Sequence, residues 1–517
     1  MDTERRVTAH FQESGLLLDC RALALLSTFV GDSVEDLQRL TSLAEEGNES
    51  KISGHRAQEL IDNLQKTVEI ALVQIISASE CPRITYDHLR RSFSALNSLP
   101  SCFAAADDKI GVYLDRLYLL QQRVRRNRMF SRPVLETASN PDASFCELTD
   151  IKSLLGSGHQ TRYVLGCISQ LREGQYSLED VSGSVALDLQ HAETTSGLFT
   201  ENCIVLAEGQ MQLNKTFRVR ALGFPPLESR MDTEAAAKGL NFFGGIPPRG
   251  VAIEQAYDAE VAREAARIVV LSELWLDQAG TLESIDAILT GFESMEEVPP
   301  VFVLLGDFQS FSCARVNPDY RIIQENFKAL SSVLGRHTRL KEESKFVLVP
   351  GPGDAGPGSI LPQPPLPSSL TADLRARVPG IVLASNPCRL RYCTQDIIVF
   401  RQDLLQTMRR HCLLTPIGDS QSSDALFEHL SVTLLQQSHL CPLPLEKHPI
   451  YWQHDHALRL YPVPSAVILA DSSTPAASFT FEGCVCFNPG SVKHGSFAAY
   501  APASREVELC DVPDLST

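Results

Sequence analysis

The chain has 517 residues and carries 63 acidic against 46 basic side chains, which gives a formal net charge of −17. This length predicts about two to four domains, and a hydrophobic content of 44% is enough for real cores. Because the phosphates of nucleic acids are bound by clustered cations, the charge argues against a protein that is coated by DNA or RNA, and it is explained as well by solubility alone.

The cysteines and the hydropathy pattern indicate where the protein works. Fourteen cysteines are scattered without a C-x-x-C pair or histidines at zinc spacing, so they predict reduced thiols in an intracellular protein. The first residues lead into a helical pattern that contains Asp19, which is unlike a secretory signal peptide. No stretch reaches the roughly 18 apolar residues that span a bilayer, so the sequence predicts no membrane partner.

Residues 1–78 are predicted to form a helical module. An apolar segment at 16–29 ends at Gly31, a second helix over 32–47 ends at a glycine, and a third spans 57–76 with apolar residues at helical spacing. The module contains no candidate catalytic residues. Two interpretations stay open, which are a protein-docking device and a stabilising lid.

A linker at 79–148 is predicted to contain one long helix, with apolar positions over 110–120. After it comes the dense basic run of the sequence, which consists of Arg123, Arg125, Arg126, Arg128 and Arg132. The run predicts contact with an acidic partner or a phosphate backbone. The alternative is a solvated helix end, whose cations favour the negative end of the helix dipole.

Residues 149–228 change to a strand pattern and predict an OB-fold β-barrel. Five short strands separated by turns begin near Tyr163, Tyr176, Val185, Cys203 and Phe217. OB-folds often bind single-stranded nucleic acid with a basic groove and stacking aromatic side chains. Here residues 151–230 carry seven basic and eight acidic side chains and the aromatic residues are dispersed, so a protein-binding or structural barrel is favoured.

A second linker, at 229–258, leads into the last predicted domain, at 259–517. Three apolar runs in this domain predict buried parallel strands, at 267–271, 301–305 and 346–349. The second run closes on a Gly-Asp pair at Asp307, the third leads to Asp354, and a later apolar run reaches Asp471. Parallel strands present the residues that follow them at one edge of the sheet, where open α/β folds keep their sites.

The order of strand–G-D, strand–G-x-x-D and N-P-G-S resembles the calcineurin-like metallophosphoesterases. This resemblance implies two metal ions held by aspartates, an asparagine and several histidines. Most of those ligands are missing, because the motif positions hold Ser272, Asp307, Ser310, Asp354 and Asp471 and no histidine. We therefore predict a degenerate site with no catalytic residue, no metal and no other cofactor.

Two hypotheses compete with an inactive site. Asp307 leaves open a weak residual cation site, and a metal-dependent phosphodiesterase with a reorganised site is the enzymatic alternative. The sequence His454-Asp455-His456 also resembles a metal motif, but it lies well before the strand that should present the ligands, so a structural role is favoured. The predicted fold class is multidomain α+β, with an N-terminal helical module, an OB-fold β-barrel and an inactivated calcineurin-like phosphoesterase α/β sandwich.

Three long stretches of sequence make the family resemblance more specific. They are F-V-L-V-P-G-P-G-D at 346–354, N-P-C-R-L-R-Y-C-T-Q-D-I-I-V-F-R at 386–401 and F-N-P-G-S at 487–491. Together with the barrel ahead of them, they resemble the B subunits of the eukaryotic replicative DNA polymerases, and among these the epsilon branch.

That resemblance implies an accessory scaffold in DNA replication, in the nucleus, with no activity of its own. The barrel and the phosphoesterase-like domain would hold the zinc-bearing C-terminal domain of the polymerase epsilon catalytic subunit. The helical module, which in this family resembles the lid domain of AAA+ ATPases, would dock on the replicative helicase through the GINS complex. Histone-fold small subunits would complete the holoenzyme, and DNA contact would be weak at most. A single-stranded DNA-binding subunit remains an alternative.

Overall fold

The structure is a computed structural model that describes residues 2–14, 16–30, 40–41, 44, 51–57, 72–131, 145–156, 160–172, 174–248, 251–316, 318–358, 360–414 and 422–512. Its internal contacts divide the chain into two compact units, Met1–Leu72 and Val73–Thr517, which are described separately. In the part of the chain that the structure describes, no helix combines the length and the apolar character that crossing a bilayer requires.

The described part of the first unit includes the helices α1 (Asp2–Glu13) and α2 (Cys20–Val30) and a short pair of parallel strands, β1 (Leu17–Leu18) and β2 (Lys51–Ile52). Asp19 fixes the start of α2, because its carboxylate accepts hydrogen bonds from the backbone N–H groups of Ala22 at 2.6 Å and Gly54 at 3.0 Å. Phe11 and Leu26 are fully buried in the core of this unit.

The predictions for this region are confirmed in part. A helix covers most of 16–29, although its first apolar residues form β1 instead. Most of the predicted second helix and residues 58–71 of the predicted third helix lie outside the described residues. The predicted third helix is wrong at its end, because Val73–Ser77 form strand β3 of the second unit. This stretch is rich in Val and Ile, and five backbone pairings with a distant strand override its helical spacing.

A β-barrel forms one part of the second unit. Its strands are β6 (Thr161–Arg172), β7 (Gln175–Asp180), β8 (Gly183–Asp188), β9 (Glu193–Thr194), β10 (Ile204–Met211) and β11 (Thr216–Gly223). Five of them close into a ring, in which β10 pairs with both β6 and β11, and β11 pairs with β8. The remaining strand, β9, pairs with β11. Alternate residues such as Phe217 and Val219 fill the interior. This topology confirms the predicted OB-fold.

Two six-stranded sheets form the other part of the second unit. Apart from β3, their strands are β12 (Ile268–Leu271), β13 (Val301–Leu305), β14 (Lys345–Val349), β15 (Ile381–Leu383), β16 (Cys388–Tyr392), β17 (Gln395–Arg401), β18 (Ala466–Ala470), β19 (Ala477–Phe481), β20 (Cys484–Asn488), β21 (Ser496–Ala501) and β22 (Glu506–Asp511). The first sheet has the order β15-β14-β13-β12-β21-β22, and the second has the order β19-β20-β18-β17-β16-β3. The runs predicted as parallel strands are β12, β13 and β14, and they pair in parallel.

Helices and a hairpin surround these sheets. They are the hairpin β4 (Ile84–Asp87) and β5 (Ser92–Ala95), and the helices α3 (Ala106–Arg126), α4 (Arg230–Ala237), α5 (Val251–Val261), α6 (Thr281–Glu293), α7 (Tyr320–Leu334), α8 (Thr338–Glu343), α9 (Ala372–Arg377), α10 (Leu405–Arg410) and α11 (Ser423–Gln437). Phe302 of β13 shares one core with α6 and α7, and Phe400 of β17 shares another with α11. The opposite faces of the sheets meet, since Phe487 of β20 stacks on Tyr500 of β21 with ring centroids 5.9 Å apart. The two sheets therefore form a sandwich with helices outside.

The long helix predicted inside the first linker is a packed part of the second unit. Its residues Leu117, Leu120 and Val124 share a core with Leu165 and Ile204 of the barrel. The helix starts with two aspartates and ends with arginines, an arrangement that opposes the helix dipole at both ends.

Candidate functional site

The degenerate motif residues meet at the carboxyl ends of the parallel strands. Ser272 follows β12, Asp307 follows β13, Asp354 lies in the loop after β14, and Asp471 follows β18. Because these strand ends lie at one edge of the sandwich, the predicted position of the site follows from the fold. Ser310 lies farther along the loop after β13.

Asp354 holds two of these loops together. Its carboxylate accepts hydrogen bonds from the backbone N–H groups of Phe308 and Gly351, both at 2.8 Å. Burial, together with the neighbouring charge of Asp307, raises the pKa of Asp354 to about 7, although the two backbone donors oppose this shift. Gly306 must be a glycine here, since a Cβ atom would clash with a carboxylate oxygen of Asp354. Both oxygens of Asp354 are therefore occupied by the protein.

Asp307 is also bound by the chain itself. One carboxylate oxygen accepts a hydrogen bond from Gly353 N–H at 2.7 Å, and the other lies 3.4 Å from Nη2 of Arg401. Burial raises the pKa of Asp307, while the guanidinium of Arg401 lowers it.

Asp471 caps a helix. One of its oxygens accepts from the N–H groups of Leu404 and Leu405 at the start of α10, both at 2.8 Å, and the other accepts from the N–H of Ser473 at 2.8 Å. Burial raises the pKa of this carboxyl group.

The two serines have structural contacts as well. The N–H and hydroxyl groups of Ser310 donate to Asp277 at 2.8 and 2.5 Å, and the carbonyl of Ser272 accepts from Val492 N–H at 3.0 Å. All five motif residues thus make contacts that hold loops in place.

The residue at the centre of the cleft is Arg401, at the end of β17, and its role was not predicted from the sequence. Its side chain is fully buried, and Nε donates to the carbonyl of Gly306 at 2.8 Å. Nη1 donates to Asp403 at 2.6 Å and to the carbonyl of Ala470 at 3.3 Å. Although burial lowers the pKa of this guanidinium, Asp403 and Asp307 together hold it above its usual value. The signal in the sequence was an arginine directly after the four apolar residues at 397–400.

These residues do not fit the two metal ions that the calcineurin-like resemblance implies. The carboxylates that remain already accept hydrogen bonds from backbone donors, and a guanidinium lies between Asp307 and Asp403. Within the described ranges, no three His, Cys, Asp or Glu side chains are grouped in a way that could hold a metal ion. We derive no metal-dependent step for this site.

Within the sequence His454-Asp455-His456, Asp455 belongs to a buried ion-pair network, while the imidazole of His456 contacts the backbone carbonyls of Gln453 and Cys81. Asp455 pairs with Arg116 of α3 at 2.5 Å and with Nε2 of His439 at 3.2 Å. Burial raises the pKa of Asp455, but Arg116 and His439 outweigh this effect and lower it. The motif therefore ties α3 to the sandwich, in line with the structural role favoured by its sequence position.

Arg123, the first member of the basic run at the end of α3, fits neither interpretation of that run, since it is neither at a surface for a partner nor in solvent. Arg123 is 2% exposed and donates to Ser438 Oγ at 2.5 Å and to the carbonyls of Pro225 at 2.9 Å and Gln436 at 2.6 Å. Burial lowers its pKa to about 10. The guanidinium therefore joins the end of the barrel segment to α11 and is not a solvated charge.

The other members of the run differ from Arg123. Arg125, Arg126 and Arg128 are exposed, Arg126 pairs with Glu228 at 2.5 Å, and Arg132 lies outside the described residues. Of the four members that the structure describes, three are exposed, and one of these three is held in an ion pair with Glu228.

Further hydrogen bonds join the barrel to α11. The N–H of Gly197 donates to Nδ1 of His429 at 2.9 Å, and the N–H of Leu198 donates to Thr433 Oγ1 at 2.8 Å. All four residues lie in the second unit, and they connect a barrel loop to one face of the helix.

Phe242 and Phe243 form an aromatic pair in the second linker, between the barrel and the sandwich. Phe242 packs edge-on against Phe93 and Tyr461, with ring centroids 5.1 and 5.4 Å apart. Phe243 lies beside the guanidinium groups of Arg389 and Arg391, at 5.4 and 5.0 Å. Both phenylalanines are buried, but these contacts are with the hairpin and the second sheet.

Comparison with known proteins identifies the class and then the family. The family model for the B subunit of DNA polymerases alpha and epsilon matches residues 268–478, and a model described as the DNA polymerase epsilon subunit 2-like OB-fold domain matches residues 106–226. These ranges cover most of the sandwich and the barrel with α3, and both models describe B subunits of DNA polymerases.

The full-length relatives are more specific. The B subunit of DNA polymerase epsilon of Arabidopsis thaliana is 39% identical, with 98% of each chain covered. DNA polymerase epsilon subunit 2 of Homo sapiens is 36% identical with 97% of each chain covered, and the corresponding B subunit of Saccharomyces cerevisiae is 27% identical over 84% of this chain and 74% of the relative. The chain therefore belongs to the DNA polymerase epsilon B-subunit family, which contains the accessory and not the catalytic subunits of that polymerase.

Proposed function

We propose that the chain is a non-catalytic scaffold of nuclear DNA polymerase epsilon, built on an inactivated calcineurin-like phosphoesterase sandwich. The observation that carries the non-catalytic role is Arg401, whose guanidinium lies in the strand-end cleft and binds its remaining carboxylates. A cleft that holds its own cation offers no open coordination position for a metal-bound nucleophile.

The scaffold role is supported by how the barrel and the sandwich are joined. Arg123 and Gln437 connect them through buried hydrogen bonds at the C-terminal end of α11. Two domains connected in this way present one fixed surface, which suits a permanent partner better than a transient one. The partner we propose for this surface is the zinc-bearing C-terminal domain of the polymerase epsilon catalytic subunit.

The first unit has a different proposed partner. Residues 1–72 form a compact unit with its own buried core, and we assign to them the docking of the replicative helicase through GINS. Histone-fold small subunits belong to the same proposed holoenzyme. The acidic net charge of −17 agrees with protein partners and with DNA contact that is weak at most.

Co-purification tests the proposal. The full chain is co-expressed with a tagged C-terminal region of the catalytic subunit, and the expected result is an equimolar complex that survives gel filtration. Residues 73–517 should retain this complex, whereas GINS binding should require residues 1–72. If the full chain stayed monomeric beside a folded catalytic-subunit domain, the scaffold role would be wrong.

Two competing functions have their own measurements. Metal-dependent hydrolysis of a generic phosphodiester, lost on Asp307→Ala, would establish the enzyme. A steep fall of DNA affinity with salt that disappears in an Arg125→Ala/Arg128→Ala variant would establish a single-stranded DNA-binding role, because these two exposed members of the basic run can be replaced without breaking the Arg126–Glu228 ion pair.

A further inference from the structure

We propose that one face of helix α5 is a docking site for a basic amphipathic helix of a partner protein. The face is defined by Ile253, Tyr257 and Val261, and we call it the α5 stripe. The proposed function assigns no role to this helix, most of which lies in the segment that the sequence pattern predicts as a linker.

The α5 stripe is apolar and faces solvent. Ile253 is 49% exposed, Tyr257 is 58% exposed and Val261 is 45% exposed. The three positions are four residues apart, so their side chains follow one another along one face of the helix over about 12 Å. Single exposed apolar residues are ordinary on a protein surface, but three in succession on one helix face are the pattern by which helices pack against other helices.

Another side of α5 is fixed to the sandwich. Ala256 is fully buried, and the buried carboxylate of Glu260 accepts hydrogen bonds from Thr394 N–H at 3.2 Å, Thr394 Oγ1 at 2.6 Å and Gln395 Nε2 at 2.6 Å. These donors lie at the start of β17. Turning the helix to bury the stripe would withdraw Glu260 from all three donors, so the stripe stays exposed until a partner covers it.

Helix formation does not explain the choice of residues in the stripe. Isoleucine and valine are branched at Cβ and tyrosine is bulky, so all three favour a helix less than alanine, glutamate or lysine would at an exposed position. Their apolar surface contributes to stability only where it is removed from water. A partner that covers the stripe provides that contribution.

The charges of α5 select the kind of partner. The helix carries Glu254, Asp258 and Glu260 and no basic residue. Glu260 is bound inside the sandwich, whereas Glu254 and Asp258 are exposed and each follows directly after a residue of the stripe, so they border it. A helix with lysines or arginines beside an apolar face matches both features, while an acidic helix would be repelled. The net charge of −17 favours the approach of the same kind of partner.

A designed peptide tests the site. The probe is a fluorescently labelled helix of leucine and lysine, with the leucines on one face, and it has about 18 residues because shorter peptides are marginal as helices. Fluorescence anisotropy measures its binding to the full-length chain at about 0.15 M ionic strength. One control peptide has the same composition in shuffled order, and the other has glutamate in place of lysine.

We expect the basic helix to bind at micromolar concentration and both control peptides to bind at least about tenfold more weakly. Equal binding of the shuffled peptide would show that charge alone attracts the probe, and it would overturn the docking site. Equal binding of the glutamate peptide would overturn the basic character of the partner.

Matched variants locate the binding site. Ile253→Gln/Tyr257→Gln removes two apolar side chains of the stripe and should weaken binding of the basic helix by about tenfold or more. The control is Leu213→Gln/Met231→Gln, which removes apolar side chains that are 93% and 81% exposed elsewhere on the chain. This control should change the affinity by less than about twofold, and equal affinities of the two double variants would overturn the inference.

The acidic border has its own pair of variants. Glu254→Gln/Asp258→Asn should weaken binding by about three- to tenfold. Glu283→Gln/Asp373→Asn removes the same charge from exposed positions of α6 and α9 and should have a smaller effect. Losses of equal size in the two variants would show that only the net charge matters.

Photo-cross-linking to the wild type does not depend on the folding of any variant. A benzophenone at the centre of the basic peptide should attach to α5 or to the start of β17, and attachment spread over other surfaces would overturn the inference.

Sedimentation at increasing concentration tests a second copy of the chain as the occupant. A dimer that Ile253→Gln/Tyr257→Gln abolishes would replace the partner proposed here. Failure of the peptide to bind overturns only this inference, because co-purification with the catalytic subunit tests the proposed function separately.

Discussion

Gln437 and Ile204 exchange two hydrogen bonds across the junction of helix and barrel. The side-chain amide of Gln437 accepts from Ile204 N–H at 2.8 Å and donates to Ile204 C=O at 2.7 Å. Both residues are buried, so water does not replace these bonds. One side chain at the end of α11 thereby satisfies a donor and an acceptor on the open side of β10, as a neighbouring strand would.

Replacing Gln437 by methionine should destabilise the second unit. The substitution keeps the size of the side chain but leaves the N–H and C=O of Ile204 buried without partners, at a cost of about 2–4 kcal/mol in the free energy of unfolding. Equilibrium urea denaturation measures this loss. Gln437→Glu should also destabilise the unit, because it keeps the acceptor for Ile204 N–H but sets a buried carboxyl group against Ile204 C=O. The exposed Gln406 of α10 provides the control, and Gln406→Met should change stability by less than about 0.5 kcal/mol.

Arg123→Met should cost about 3 kcal/mol of unfolding free energy, because Pro225, Gln436 and Ser438 lose a buried charged donor. The matched substitution is Arg125→Met, two positions along the same helix on an exposed residue, and it should leave stability nearly unchanged. Chemical denaturation of both variants distinguishes a structural arginine from a surface charge. Equal and small losses in the two would show that Arg123 is not needed at the junction.

Truncation tests where the first unit ends. A chain that starts at Val73 keeps β3, whose five residues pair with β16, and should unfold cooperatively like the full chain. A chain that starts at residue 79, the boundary suggested by the sequence, loses β3 together with the hydrogen bond from Ala78 N–H to Ser385 Oγ at 2.7 Å.

The shorter chain should therefore be less stable, prone to aggregate through the uncovered edge of β16, and rapidly cleaved by proteases. Limited proteolysis and thermal unfolding of the two truncated proteins provide the comparison. Identical behaviour would mean that β3 contributes little to the sandwich.

Acid should destabilise the protein partly through His439. Burial, reinforced by Arg116, lowers the pKa of this imidazole to about 4 from its usual 6.5. Its Nδ1 accepts from Cys441 N–H at 3.0 Å, so the proton of the neutral ring lies on Nε2 and points to Asp455. Since the unfolded chain binds a proton below pH 6.5 and the folded chain does not until about pH 4, stability is full above pH 6.5 and falls as the pH decreases between these values.

The slope from this one group should approach about 1.4 kcal/mol per pH unit near pH 5. His439→Asn, which can still accept from Cys441 N–H, should be less stable at pH 7 and show a pH dependence shallower by that amount. Urea denaturation at pH 5, 6 and 7 measures both slopes. If wild type and variant had parallel pH profiles, His439 would not be neutral in the folded state.

Strands bounded by strong turn signals were predictable from the sequence. β13 is a run of five apolar residues between Pro300 and Gly306, and β14 ends at a Pro-Gly loop. The length of each apolar run and the turn residues beside it were enough to place both strands. The same signals placed Asp307 and Asp354 at one edge of a sheet. The barrel followed from alternation of apolar residues with turns.

Features that depend on distant partners were not predictable. Val73–Ser77 has apolar residues that suit a helix as well as a strand, and only pairing with β16 decides between them. The burial of charged side chains was not predictable either, because Arg123 and Arg401 look like surface cations in the sequence. Their burial is decided by carbonyl and carboxylate oxygens that other segments bring to them.

The position of β3 in the chain, far ahead of its partner strand β16, has a consequence for synthesis on the ribosome. Ala78, directly after this strand, is bound to a residue 307 positions later, and the barrel lies between them in the sequence. At roughly 5–20 residues per second, the nascent strand waits about 15–60 s for its partner to be made. During that interval the barrel can close while Val73–Ser77 remains an unpaired apolar segment, which is a natural binding site for a chaperone in the growing polypeptide.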